Sequence, residues 1–318
     1  MTESLKVNGI TKIYAADVFK RKLVILDDLS IEFPLKKCTG LFGHNGAGKT
    51  TLIRLIFGIS RPNRGNITIA DSDISALNRR KIGYMPEVDK TASTLTPREI
   101  ITSHCMLFAL DDIENRTKNI LEKVGLLASW NKKSSSLSKG MGRRLAFAQA
   151  TVHEPDFLIL DEPFSGLDPL GRADMHNWIT EQKAKQTTVI LCSHELRESY
   201  SLCDEFNILN KGKLVYSTLD SGKHFKLPAP LFAITIADVS EEEFQNLQAE
   251  ANLPNPLLLR HHSDDNHLWA QFDSYESAYQ WLRFLTQKDL RVKMFGDDGQ
   301  DNQQVEMLKF FKLGEQSA

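Results

Sequence analysis

The sequence predicts an α/β domain carrying a helical insert, followed by a small α+β domain. Three observations lead there. Short apolar runs alternate with helical patterns through the first two-thirds of the chain, the order expected of a largely parallel sheet flanked by helices. One of those runs, Cys38-Thr39-Gly40-Leu41-Phe42, leads straight into a glycine-rich loop and then a helix. The composition shifts near residue 220, where Gly222, Pro228 and Pro230 punctuate a linker. The 318 residues suit two domains, at about 150 residues each. The expected division is 1–220 and 221–318, with the helical insert at about 97–150.

Taken in order, Cys38 to Phe42 reads as a strand and Thr51 to Ile56 as the helix behind the loop. From about Pro97 to Ala150 the periodicity is helical. Phe157-Leu158-Ile159-Leu160 and Thr188-Val189-Ile190-Leu191-Cys192 are apolar without alternation, as strands buried on both faces are. Beyond the linker comes a β-α-β-β-α-β order that is ferredoxin-like. Its strands are Ile234–Ile236, Leu257–Leu259, Leu268–Phe272 and Leu290–Phe295, and its helices are Glu241–Ala251 and Ser274–Thr286. In the second helix Tyr275, Ala278, Trp281, Leu282 and Leu285 share one face. Asp297 to Gln303 reads as a loop and Gln304 to Leu313 as a closing helix.

The loop itself carries chemistry. Gly43-His44-Asn45-Gly46-Ala47-Gly48-Lys49-Thr50 fits G-x-x-x-x-G-K-[ST] without a gap. Glycines let the backbone wrap closely enough for its N–H groups to converge on a phosphate. The helix beginning at Lys49 turns its positive dipole end to the same anion. Lys49 is expected on the β- and γ-phosphate oxygens and Thr50 on Mg²⁺. Gly43, His44, Asn45, Gly46, Ala47, Gly48, Lys49, Thr50 and the following Thr51 are the candidate nucleotide contacts. Downstream, the apolar run 157–160 ends in Asp161-Glu162. Two acids closing a buried strand are costly unless they meet a cation. Asp161 is the expected carboxylate on the Mg²⁺ side, and Glu162 the residue that orients or activates the attacking water.

At these residues the chain resembles the ATP-binding subunit of an ABC transporter, and the resemblance runs over about residues 5–217. It implies an adenine-facing aromatic at Tyr14 and a loop at Gly83-Tyr84-Met85-Pro86-Glu87 in which Glu87 touches Mg²⁺ and the membrane subunit. It implies a signature at Leu137-Ser138-Lys139-Gly140-Met141, where Ser138 and Gly140 approach a γ-phosphate. Ser165-Gly166-Leu167-Asp168 then corresponds to the loop that touches the opposite subunit, and His194 of Ser193-His194-Glu195 to the γ-phosphate switch. Two departures stand out. Glu87 replaces the usual glutamine, and Lys139 and Met141 replace the usual second glycine and terminal glutamine of the signature. Lys139 adds positive charge where a neighbouring subunit's phosphate is expected. Met-Pro-Glu together with Ser-Lys-Gly-Met is similar to the type-2 exporter group, some of which serve copper-enzyme maturation.

The resemblance implies an ATPase driven through dimerisation, the phosphate loop of one subunit facing the signature of another. ATP and Mg²⁺ are the implied cofactors. The implied partners are a second cassette, a homodimer in the first instance, and integral membrane permease subunits docked near Glu87 to Leu110. The implied location is the cytoplasmic face of the membrane, reached through the permease. An importer cassette and a non-transport ABC ATPase with a regulatory role stay open as alternatives. A translation factor of related type would carry two phosphate loops, and a coiled-coil DNA-repair ATPase would separate Lys49 from Ser138 far more widely. Net charge is −2 and the pI about 6.5, giving no electrostatic case for nucleic acid. Cys38, Cys105, Cys192 and Cys203 are scattered without a C-x-x-C pair, so reduced buried thiols are expected rather than a zinc site. The N-terminus has no apolar signal-peptide core, and no apolar run reaches the length of about 20 residues that spans a bilayer.

Overall fold

Four parallel strands, buried along their whole length or nearly so, form the backbone of the molecule in a computed structural model. It describes residues 3–15, 22–70, 72–74, 81–87, 94–194, 199–219, 232–251, 253–262, 267–272 and 274–297. The strands are β3 (Cys38–Phe42), β6 (Ile82–Met85), β7 (Phe157–Asp161) and β8 (Thr188–Ser193). With β9 (Glu205–Asn210) and β10 (Lys213–Ser217) they make a six-stranded sheet ordered β10-β9-β3-β8-β7-β6. Only the β9–β10 pair is antiparallel. β3 and β7 are not adjacent: β8 lies between them, pairing Leu41 with Cys192 on one side and Asp161 with Cys192 on the other. The glycine-rich loop and the acidic pair therefore emerge at the same end of the sheet, one strand apart. Ligands of open α/β sheets bind at that carboxyl end.

A second sheet in the same unit is antiparallel, ordered β2-β1-β4-β5 from β1 (Ser4–Ala15), β2 (Lys22–Pro34), β4 (Arg64–Ile69) and β5 (Ser72–Asp73). These strands are not among those the sequence predicts. β2 does alternate, burying Leu29, Ile31 and Phe33. β1 buries Leu5 and Val7 but then Ile10, because register shifts fall between Val7 and Ile10 and again before Ile13. Bulges of this kind break the period of two on which strand recognition depends. Leu5, Val7, Leu29 and Phe33 share one core with α1 (Lys49–Ile56), through Leu52 and Ile56, and with Ile159 and Ile190 of the parallel sheet.

The insert is helical as expected: α2 (Pro97–Leu107), α3 (Ile113–Lys123) and α4 (Lys139–Thr151). α2 starts at a capping box in which the Thr96 hydroxyl accepts from Glu99 N and the Glu99 carboxylate from Thr96 N, with Pro97 in the first turn. α4 is capped by the Ser138 hydroxyl, which accepts from Met141 N at 3.2 Å. Among the described residues no helix is long and apolar enough to cross a membrane.

The chain divides into two compact units, the second comprising Leu167–Asn177 and Phe225–Lys309. α5 (Pro169–Ala184) is thus a single helix whose first turns belong to the second unit. That unit's sheet runs β12-β13-β11-β14 from β11 (Phe232–Ala237), β12 (Leu258–His262), β13 (His267–Phe272) and β14 (Val292–Asp297). With α6 (Glu241–Ala251) and α7 (Tyr275–Gln287) this is the ferredoxin-like order, the second and last strands lying one or two residues later than expected. Its core joins Ala173 to Ile234, Phe244, Phe272, Trp281 and Leu285. The linker prolines and residues 304–313 lie outside the described residues.

Trp281 is fully buried, stacks on Phe244 with ring centroids 4.0 Å apart, and donates from Nε1 to Pro254 O at 2.7 Å. Trp281→Ala removes both the stack and the packing, a loss of about 3–5 kcal/mol. Urea unfolding followed by far-UV circular dichroism should register it as earlier loss of the second unit's structure. An unaltered unfolding curve would contradict this account of the second core.

Candidate nucleotide site

The phosphate loop leaves β3 and tightens at once, with Ala47 N donating to His44 O at 3.0 Å. Gly43 admits no side chain, since a Cβ there would lie 2.5 Å from Leu209 O. Gly48 holds φ +109, and a Cβ on it would meet Leu26 Cδ2 at 2.6 Å. Gly212 N donates to Ala47 O at 3.0 Å, so the β9–β10 turn braces the loop from behind. α1 then begins at Lys49, with its first N–H groups directed at the concavity.

Lys49 is only 6% exposed. Its ammonium donates to Gly43 O and lies 4.0 Å from Glu162 Oε1. Glu162 is equally buried and sits just past β7 with a left-handed φ of 50. That conformation is uncommon for a residue with a Cβ and is held by Glu162 N donating to Cys192 O at 2.8 Å. Its two carboxylate oxygens take different partners. Oε1 lies 2.8 Å from His194 Nδ1, and Oε2 accepts from Ser193 Oγ at 3.1 Å. Lys49, His194 and Ser193 thus fix one carboxylate from three sides, while the His194 ring stays 44% exposed at the rim.

A cleft of about 320 Å³ opens over this group, lined by Ile25, His44, Asn45, Gly46, Gly48, Lys49, Thr50, Thr51, Glu87, Asp161 and Glu162. Asp161 is 2% exposed, and its carboxyl is pushed up to about 6. Burial is the main cause, and the Glu162 and Glu87 carboxylates add to it, against the pull of Lys49 and Arg143. Burial also pushes the nearby Tyr84 hydroxyl up to about 12, with Asp161 adding to it. The cleft is therefore an acidic corner facing a basic loop. Among the described residues, no cluster of three or more His, Cys, Asp or Glu side chains forms a protein-only metal cage. A hard cation held by one or two carboxylates and otherwise by phosphate and water requires no such cage.

The structure brings together the loop residues, Glu87, Asp161, Glu162 and, through Glu162, His194. It leaves three expected contacts elsewhere on the chain. Tyr14 lies in β1 opposite Leu23, with the Lys12 ammonium 4.9 Å above its ring, and it does not line the cleft. Ser138 and Gly140 cap and open α4 and do not line it either. Lys139 lies against Gly166 of its own chain: a Cβ on Gly166 would meet its Cδ and Cε at 2.5 Å. Two cleft or near-cleft residues belong to no motif of the sequence. Ile25 belongs to the unread β2. Arg143 falls on the buried stripe of α4 with Ala146, Phe147 and Ala150, and a charge at i of an i, i+3, i+4, i+7 apolar stripe is a signal in itself.

Comparison with known proteins decides the family. The ABC transporter family model matches residues 26–165. The lipopolysaccharide export system ATP-binding protein LptB of Acidithiobacillus ferridurans is 31% identical over 222 residues, which is 68% of this chain and 90% of that one. The chain belongs to the ATP-binding subunits of ABC transporters. The Nod factor export ATP-binding protein I of Rhizobium johnstonii is 32% identical over 67% of this ABC ATPase and 68% of its own length. A solved ATP-binding subunit of an ABC transporter superposes with a TM-score of 0.60 at 31% identity, covering 67% of this chain and 88% of the other. The protein is an α/β ABC ATPase that binds and hydrolyses ATP.

The Asp161 shift has a consequence for stability. The folded value of about 6 lies above the ordinary 3.8, so the folded state holds this proton more tightly than the unfolded chain. Without nucleotide, stability falls as pH rises from about 4 through about 6, and the full loss is felt above that. Asp161→Asn should therefore be more stable than the parent by on the order of 2 kcal/mol at about pH 7.5, with the difference vanishing near pH 4. Urea unfolding at the two pH values measures it, and a pH-independent difference would contradict the assignment.

Proposed function

We propose that this ABC ATPase powers an exporter of the type-2 kind through ATP-driven pairing of two cassettes. The observation that carries the reading is the Lys49–Glu162–His194 group on one cleft with the phosphate loop. In this reading the loop N–H groups and Lys49 bind the β- and γ-phosphates. Glu162 draws a proton from the attacking water and so orients it toward the γ-phosphorus. His194 and Ser193 hold the Glu162 carboxylate in place, and His194 reaches the γ-phosphate from the open rim. Thr50, Asp161 and Glu87 would hold Mg²⁺, which neutralises phosphate charge when bound; their oxygen donors suit that ion. Tyr14, which does not line the cleft that takes the phosphates, would face the adenine only beyond it.

Ser138 and Gly140, which do not line their own chain's cleft, would serve the nucleotide of a second copy of the chain. Their place at the start of α4 supports this, since that helix's first N–H groups and its dipole favour an anion. The permease is proposed to dock on the insert between Glu87 and Leu110, where Leu95, Met106 and Leu107 are exposed. That docking would hold the protein at the cytoplasmic face of the membrane. Relatives named for export of lipopolysaccharide and of Nod factor support the export direction.

Glu162→Gln keeps the shape of the side chain and removes the base. With ATP and Mg²⁺ the variant should pass from monomer to dimer in light scattering and stay there, while phosphate release drops about 100-fold or more. Lys49→Ala should lose both nucleotide affinity and turnover. A Glu162→Gln protein that turns over like the parent, or remains monomeric in saturating ATP, would overturn the proposal.

A further inference from the structure

β6 and β7 run side by side from Ile82↔Phe157 to Met85↔Leu160, and there the ladder stops. It cannot continue, because the next residue of β6's chain is Pro86, which has no N–H to donate. The two chains separate just where one carries Glu87 and the other Asp161 and Glu162. Four backbone carbonyls lie at the gap, and a single side chain gathers them. Arg143 Nη1 donates to Pro86 O at 2.5 Å and Glu87 O at 3.0 Å, and Nη2 donates to Asp161 O at 2.9 Å and Glu162 O at 2.6 Å. The side chain is 3% exposed, so these bonds form out of water, where charge-assisted bonds are at their strongest.

We propose that Arg143 is a positioning residue for ATP hydrolysis, a cross-tie that sets the Glu87 segment and the Asp161–Glu162 strand end in register with the signature helix. Only a guanidinium suits this place. Its two terminal nitrogens are held a fixed distance apart in one plane, so each can serve one of the two strand ends. A lysine presents one point charge and cannot span the gap. Arg143 sits one helical turn from Gly140 and Lys139 on α4. A shift of the signature when a second subunit closes on it is therefore delivered to the backbone of Glu162, and a shift of the Glu87 segment reaches the same point. The inference rests on the roles proposed above for Glu162 and the signature, and it adds the element that joins them.

The test compares Arg143→Lys, Arg143→Met and Glu162→Gln in the full chain, with folded fraction set by circular dichroism and nucleotide affinity by a fluorescent ATP analogue. Loss of charged hydrogen bonds at the reacting strand end should lower kcat about 10- to 100-fold in Arg143→Lys. Because Arg143 does not line the cleft itself and reaches it only through the backbone carbonyls of Glu87, Asp161 and Glu162, KM and nucleotide affinity should stay within about twofold. Arg143→Met should behave alike if it folds; if it does not, Arg143→Lys decides. A residue needed only for the fold would lower affinity and kcat together, in proportion to the unfolded fraction, and that result would overturn the proposal. So would an Arg143→Lys turnover within about threefold of the parent per folded molecule. Should Glu162→Gln itself turn over normally, the assignment of Glu162 fails, and a selective kcat loss in Arg143→Lys would still stand as evidence for the cross-tie.

Discussion

Asp161 and Glu162 are 2% and 6% exposed, side by side at the end of an apolar strand. Ions so far from water are unfavourable by several kcal/mol each unless fixed charges or dipoles replace the solvent. The surroundings supply these unequally. Glu162 has an ammonium at 4.0 Å, an imidazole at 2.8 Å and a hydroxyl at 3.1 Å. Asp161 is pushed up to about 6, chiefly by burial, with the Glu162 and Glu87 carboxylates adding to it. One acid is held ready and the other is left wanting a cation. A Mg²⁺–nucleotide would bring that cation together with an anion suited to the phosphate loop opposite.

The same constraint accounts for the strand order. Placing β8 between β3 and β7 lets Ser193 and His194, at its end, reach Glu162 from the side that faces the loop. Lys49 then crosses from the loop to the same carboxylate. Across the other edge of β7 no ladder can form beyond Met85, and Arg143 occupies that gap. The end of β7 is thus tied on one side by ordinary sheet pairing and on the other by an arginine from α4.

What was legible in the sequence was what chemistry forces to be contiguous. The loop needs its glycines, Lys49 and Thr50 in one run, and a doubly buried strand needs an uninterrupted apolar stretch, so Gly43–Thr50 and Phe157–Glu162 could be read directly. The ferredoxin-like order was legible because α7 keeps a clean apolar face and its strands are short and bounded. β1 was not, because its bulges near Gly9 break the alternation. Arg143 shows only as a charge on an apolar stripe, because its partners lie 57 and 18 residues away and are carbonyls, which any residue supplies. Nor did composition mark Leu167–Asn177, whose place in the second unit rests on Ala173 and on Tyr275 Oη donating to Ala173 O at 2.6 Å.

The central claim is that Asp161 is an acid kept short of a cation until nucleotide arrives. Carboxylate ¹³C NMR of Asp161, titrated alone and with saturating Mg–ADP, tests it most directly. Alone, the side chain should titrate near 6. With Mg–ADP it should stay ionised down to about pH 4, because the bound cation favours the charged form. A midpoint that does not move when Mg–ADP is added would contradict the account.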